Sequence, residues 1–255
     1  MNEKPDLPTT ARTALACLDL TSLNDADTAA DIDTLCRRAN GPHGSTAAVC
    51  VWPRFVAQAR ALLPAHIAVA AVANFPDGSS DIARAVADTR QIVDAGGNEV
   101  DVVIPWRDLD SAAALLAAVR AACPQQRLKV ILETGELKDA TLIRQACTLA
   151  LNAGADFLKT STGKVPENAT PASAALLLQA IASRPDAAAR VGFKPAGGVR
   201  TVADAALYIA LTSQHLGAAA VNPRRFRIGA SGLLNDIEAV LGGAAPGAAA
   251  PGSTY

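Results

Sequence analysis

Two lysines stand where apolar runs finish: Lys159 in "ADFLKTS" and Lys194 in "RVGFKP". A charged ammonium kept out of water costs several kcal/mol, so such a lysine snorkels, pairs or gives up its proton. The last outcome makes a nucleophile. Strand alternation puts Lys159 on the side of Phe157 and Ala155, among apolar neighbours that disfavour the charged form. Lys194 closes the next strand, and adjacent strands lie about 4.8 Å apart. Burial and like charge then act together to leave a free amine at neutral pH, and a free amine attacks carbonyls. A single such lysine is better read as a snorkelling, paired side chain. Two at equivalent ends of neighbouring strands favour chemistry.

Schiff-base chemistry needs acids and bases within hydrogen-bond reach. Asp101 in "NEVDVVIP" is the leading candidate, because a carboxylate inside an apolar strand requires a cationic partner, and pairing couples their protons. A buried structural ion pair would have the same geometry. Asp19 in "LDLT" either holds a substrate hydroxyl or caps the helix starting near Asn24, two readings of equal weight. Glu133 in "LETGE" is a weaker candidate. Cys50 in "AAVCVW" is by default a small buried hydrophobe, and if it faces the mouth its thiol meets reactive aldehydes.

Positioning these residues takes a parallel sheet. Eight apolar runs ("ALACLDLT", "TAAVCVWP", "IAVAAVANF", "NEVDVVIP", "RLKVILET", "ADFLKTS", "RVGFKP" and "RFRIGA") alternate with helical sequence such as 25–38, 81–94, 111–122, 137–152 and 202–214. Strands hydrophobic throughout are covered on both faces, and eight βα units in 255 residues fit an α/β fold of the TIM (β/α)8 type, with a doubly wound open sheet as runner-up. In a barrel, Asp19, Asn74, Asp101, Glu133, Lys159 and Lys194 converge at the C-terminal face. One domain over 1–241 is expected, followed by a flexible Gly/Ala/Pro-rich tail over 242–255 that ends in Tyr255.

The loops after the last three strands carry glycines: "STGK" with Gly163 and Lys164, "PAGGVR" with Gly197 and Gly198, and "GASG" with Gly229, Ser231 and Gly232. Glycines let backbone N–H groups approach an anion, and loops after strands seven and eight form the recurrent phosphate site of such barrels. "TSTGK" is not a P-loop, because Leu158 replaces its first glycine and Val165 the magnesium-binding hydroxyl.

The remaining composition excludes other classes. With 23 Lys plus Arg against 24 Asp plus Glu the net charge is -1, which makes no case for nucleic acid or an anionic membrane. No run approaches the roughly 20 apolar residues of a spanning helix, and "MNEKPDLPTTART" has no signal-peptide core. A cytoplasmic protein is expected. Five dispersed cysteines suggest neither disulfides nor zinc, and three histidines without paired spacing give metal catalysis little support.

The ordered set "LDLT", "STAAVCVWPRF", "EVDVV", "ETGELKD", "GADFLKTSTGK", "NATP", "VGFKPAGGVR" and "GASGLL", spanning about Leu15 to Leu234, resembles the deoxyribose-phosphate aldolases. That resemblance implies a metal-free and cofactor-free class I aldolase that cleaves 2-deoxy-D-ribose 5-phosphate to acetaldehyde and D-glyceraldehyde 3-phosphate in deoxynucleoside catabolism. By motif it implies Lys159 as the Schiff-base residue, Lys194 as the lysine that lowers its pKa, and Asp101 as the relay partner. Asp19 and Cys50 would line the pocket, and Gly163, Lys164, Gly197, Gly198, Gly229, Ser231 and Gly232 would hold the phosphate. Related chains often carry a second serine where this one has Gly232. The implied partners are small molecules, with a homodimer as candidate assembly. Tyr255 resembles a C-terminal tyrosine that enters the site to exchange protons at the enamine carbon, and a tail of 14 residues reaches roughly 20 Å. Competing readings are a Schiff-base barrel for another sugar or keto acid, a pyridoxal-phosphate protein, and a non-catalytic sugar-phosphate sensor.

Overall fold

The computed structural model describes residues 6–243; Tyr255 and the rest of 244–255 lie outside them. Eight parallel strands form one sheet: β1 (Leu18–Thr21), β2 (Ala48–Val51), β3 (Ala68–Ala73), β4 (Glu99–Val103), β5 (Arg127–Ile131), β6 (Phe157–Lys159), β7 (Gly192–Lys194) and β8 (Ile228–Ala230). Each pairs with its sequence neighbour, and β8 returns to β1. Between β7 and β8 the ladder thins to single bridges, Phe193 with Phe226 and Ala196 with Gly229. This is the TIM barrel expected from the eight apolar runs, and "RFRIGA" forms a strand of three residues, as short as β6 and β7.

Five of the helices between strands begin where the sequence offers a side-chain acceptor. Thr28, Thr170 and Thr201 make capping boxes with Asp31, Ser173 and Asp204, while Asp81 and Asp139 cap the helices Ile82–Asp94 and Ala140–Asn152. Each such cap satisfies otherwise orphaned backbone N–H groups and is worth roughly 1 kcal/mol. The outer faces of the strands bury against these helices in one continuous core that includes Val49, Val69, Val102, Leu128, Leu158 and Phe193.

The inside of the barrel is different. Its upper layer is apolar and holds Leu23, Cys50, Ala70, Val72, Phe75, Val103 and Ile131, with Trp52 and Trp106 packed against it. Below this layer, where branched aliphatics usually fill such a barrel, alternate strand positions supply Asp19, Glu99, Asp101, Lys129, Lys159, Lys194 and Arg227, all buried. Gly192 makes room at the bottom: a Cβ there would meet the Phe157 ring at 2.3 Å.

Candidate active site

Register brings the charged side chains together. Asp101 on β4 is paired with Lys129 on β5, and Lys159 on β6 with Lys194 on β7. Asp101 is the hub: its Oδ2 accepts from Lys159 Nζ at 2.9 Å and Lys194 Nζ at 2.8 Å, and its Oδ1 accepts from Lys129 Nζ at 2.9 Å. Asp19 takes Lys194 at 2.5 Å and Lys129 at 3.0 Å on Oδ2, and Arg227 at 2.6 Å on Oδ1. Glu99 closes the floor, 2.6 Å from Lys129 Nζ and 2.8 Å from Arg227 Nη2. Arg127 reaches Glu99 from the half-exposed end of β5 at 3.2 Å.

A count of charges decides which group is the neutral one. Three carboxylates, Asp19, Glu99 and Asp101, face three cations that each bridge at least two of them: Lys129, Lys194 and Arg227. Arg127 reaches Glu99 only from its half-exposed position outside, so Lys159 is the remaining buried cation, and it touches Asp101 alone. Protonating it would bury a charge that the network does not need, at a cost of several kcal/mol. Burial accordingly pulls its pKa below the ordinary lysine value; Asp101 opposes this, and Lys194 reinforces it. The apolar ceiling formed by Cys50 and its neighbours supplies the desolvation.

Lys194 behaves otherwise than the two-lysine argument expects. Burial works against its charge, but Asp101 and Asp19 overcome burial and hold its pKa above the ordinary lysine value. It is therefore a fixed cation, as is Lys129, which Asp101, Asp19 and Glu99 hold up against burial in the same way. Asp101 and Asp19 stay ionised despite complete burial because Lys129 and its companion cations lower both pKa values.

Several other expected residues settle differently. Asp19 caps no helix: Asn24 is bonded to Asp27, and the helix Ala29–Ala39 is capped by Thr28. Asn74 does not join the cluster; its Nδ2 donates to the Ser79 and Val103 carbonyls, pinning the loop after β3 in a left-handed turn. Glu133, also left-handed, accepts from Thr162 N at 3.1 Å and Thr162 Oγ1 at 2.5 Å, so it braces the "TSTGK" loop. Burial raises its pKa. Cys50 lies inside the barrel in the ceiling above the lysines, and burial pushes its thiol up.

The glycine loops meet at the same mouth. Gly163, Gly197 and Gly198 all adopt positive φ, and Gly198 and Gly232 face open space. The helix Leu233–Leu241 starts at Gly232 with no side-chain cap, which leaves its first N–H groups directed outward. Lys164 Nζ donates to the Leu23 carbonyl at 2.8 Å, at the rim. Gly229 is the exception: its N–H donates to the Pro195 carbonyl at 2.9 Å in closing the barrel, so it is not free for an anion. What Gly229 provides is space, since a Cβ would meet Lys194 Cε and Ala196 Cβ at 3.0 Å.

Lys129, Glu99 and Arg227 are participants that the strand-end argument overlooked. The same argument applied to mid-strand positions finds them, because "RLKVI", "EVDVV" and "RFRIGA" each set a charge in an apolar run at the alternation of a known inward residue.

Comparison with known proteins agrees with this architecture. Residues 13–239 match the family described as DeoC/LacD family aldolase. A deoxyribose-phosphate aldolase from Agrobacterium fabrum (strain C58) is 50% identical over 250 residues, covering 95% of each chain. Among solved structures, the apo form of a candidate deoxyribose-phosphate aldolase from Toxoplasma gondii ME49 superposes with a TM-score of 0.84 at 26% identity, over 93% of this chain and 97% of that one. A candidate deoxyribose-phosphate aldolase from Coccidioides immitis gives 0.77 at 28% identity, over 88% and 85%. A barrel whose one surplus buried lysine sits at its mouth, in a chain matched over this span, thus belongs to the DeoC/LacD family of aldolases.

Proposed function

We propose that the chain is a class I aldolase that reversibly cleaves 2-deoxy-D-ribose 5-phosphate to acetaldehyde and D-glyceraldehyde 3-phosphate, with Lys159 as the Schiff-base residue. The observation that carries this reading is the balanced set of three carboxylates and three bridging cations beside which Lys159 has no need of its proton. The similarity to the Agrobacterium enzyme supports the choice of substrate.

The Lys159 lone pair attacks the C1 aldehyde of the open-chain sugar, and the resulting carbinolamine loses water to give an iminium ion. The C2–C3 bond then breaks: its electron pair moves onto the iminium as an enamine, the C3 hydroxyl gives up its proton, and glyceraldehyde 3-phosphate leaves. Protonation of the enamine carbon and addition of water to the regenerated iminium release acetaldehyde and restore the amine. Asp101, 2.9 Å from Lys159 and 2.8 Å from Lys194, is placed to pass protons between the two nitrogens and the carbinolamine oxygen. Lys194 supplies the positive field that keeps Lys159 nucleophilic. Asp19 fixes Lys194 from below, and Cys50 limits the space beside the two-carbon fragment.

The phosphate rests on the N–H groups around Gly163, Gly197, Gly198, Ser231 and Gly232, with Lys164 adding charge. The reading also assigns Tyr255 to proton delivery at the enamine carbon, which deletion of that residue and measurement of methyl-proton exchange would test. A cytoplasmic, homodimeric enzyme of deoxynucleoside catabolism goes with the same reading, and cell fractionation and light scattering address those two properties.

The decisive assay incubates the purified chain with 2-deoxy-D-ribose 5-phosphate and measures both aldehydes. Equimolar acetaldehyde and glyceraldehyde 3-phosphate, abolished in Lys159→Leu, are expected. Tight sugar-phosphate binding without cleavage would instead support a sensor, and turnover only with a keto acid would replace the substrate.

A further inference from the structure

At the N-terminal end of the barrel, opposite the lysine-bearing mouth, the segments that open β5 to β8 line an open cavity of about 300 Å³. Its lining includes four arginines, Arg127, Arg190, Arg224 and Arg225, and a single carboxylate, Asp156. That carboxylate is already engaged, accepting from Arg120 Nη1 at 3.1 Å and from Leu128 N at 2.8 Å. Asp186, whose carbonyl accepts from Arg190, has its carboxylate held by a fork from Arg184 at 3.1 and 3.0 Å. Apart from Arg127, which Glu99 takes up, the guanidiniums therefore have no carboxylate bonded to them. Arg225 donates to the carbonyls of Ala188 and Val191 only, and Arg190 to those of Asp186 and Ala155. Both are anchored by neutral acceptors and keep their positive charge directed at the cavity. Among the described residues the exposed Arg224 side chain makes no hydrogen bond of its own. Burial without a carboxylate partner even pulls the Arg225 pKa down, as a cation awaiting an anion should show.

We propose that this cavity is a second anion site, distinct from the substrate's phosphate loops, which takes a small phosphate-bearing polyanion. Guanidinium forks match the oxygens of phosphate two at a time, and several forks around one small concavity suit an anion of charge two or more. A volume of about 300 Å³ stands at the small end for ligand pockets, enough for a pyrophosphoryl group but not for a long chain. The Phe157 ring, under the Arg227 guanidinium and in space that a Cβ on Gly192 would fill, lines this cavity and separates it from the ion network above. Arg127 belongs to both, through its contact with Glu99.

Inorganic pyrophosphate, titrated calorimetrically into the full chain at constant ionic strength, is the test probe. Saturable binding is expected in the wild type, weakened at least tenfold in Arg224→Glu, whose side chain is exposed and makes no hydrogen bond among the described residues, and in Arg225→Gln. Arg37→Gln, exposed on the helix Ala29–Ala39 and outside the cavity lining, should bind pyrophosphate as the wild type does. Equal isotherms in wild type and Arg224→Glu, absence of saturable binding, or loss of binding in Arg37→Gln would each overturn the proposal. Because the readout is binding rather than turnover, its outcome is independent of whether the chain cleaves deoxyribose 5-phosphate.

Discussion

Replacing Lys194 by methionine should switch Lys159 from nucleophile to counterion. Lys159 and Lys194 donate to the same Asp101 oxygen at 2.9 and 2.8 Å, so their nitrogens are no more than 5.7 Å apart. At an effective dielectric constant near 20, two unit charges at that separation repel by about 3 kcal/mol. With about 1.4 kcal/mol for each tenfold change in protonation, loss of Lys194 removes roughly a hundredfold of the bias toward the free amine. The vacancy beside Asp19 and Asp101 adds to this, because two carboxylates then compete for fewer cations. The retro-aldol rate, followed through glyceraldehyde 3-phosphate with a coupled dehydrogenase, should fall at least about a hundredfold at neutral pH, and the ascending limb of kcat/KM should move to higher pH. Lys194→Arg keeps the charge and should leave that limb near its wild-type position, even if the proton transfers slow. A Lys194→Met enzyme that stays folded by circular dichroism and retains the wild-type limb would refute the charge argument.

Other outcomes follow from the same contacts. Asp19, Glu99 and Asp101 have folded-state pKa values below their unfolded ones, so their contribution to stability is complete above about pH 4 and is lost as pH falls through the lower folded values; thermal melts should show a steep loss of Tm below about pH 4. Gly192→Ala drives a methyl group into Phe157 at 2.3 Å, and chemical denaturation should register a loss of about 1–3 kcal/mol typical of overpacking. Glu133→Gln weakens the brace on Thr162, which should raise KM for the phosphorylated substrate more than it lowers kcat in steady-state assays. Arg227→Met leaves Asp19 and Glu99 short of a buried cation, and denaturation should show a loss of about 3–5 kcal/mol.

The barrel was readable because its strands are short, almost wholly apolar runs separated by capped helices, a pattern that only burial on both faces explains. Lys159, Lys194 and Asp101 were readable for the complementary reason: each is a charge where that pattern demands an aliphatic side chain. The pKa of Lys194 was not readable, because its sign depends on Asp19, which comes from a strand 175 residues away in sequence. Two adjacent lysines argue for mutual depression only until the carboxylates are counted. Gly229 illustrates another limit. A glycine in a phosphate-like loop and a glycine that admits a lysine stem look alike until the closing hydrogen bond to Pro195 is seen. The mid-strand Lys129 and Arg227 escaped attention because chemistry was sought at strand ends, whereas the floor of the site lies a residue pair deeper.

The pH dependence of reductive trapping addresses the central claim most directly. The protein would be mixed with acetaldehyde and cyanoborohydride across a pH series, digested, and the modified peptide quantified by mass spectrometry. The account predicts a two-carbon adduct on Lys159, forming with a midpoint below the ordinary lysine pKa of 10.5. An adduct on another lysine, or a Lys159 midpoint at or above that value, would contradict it.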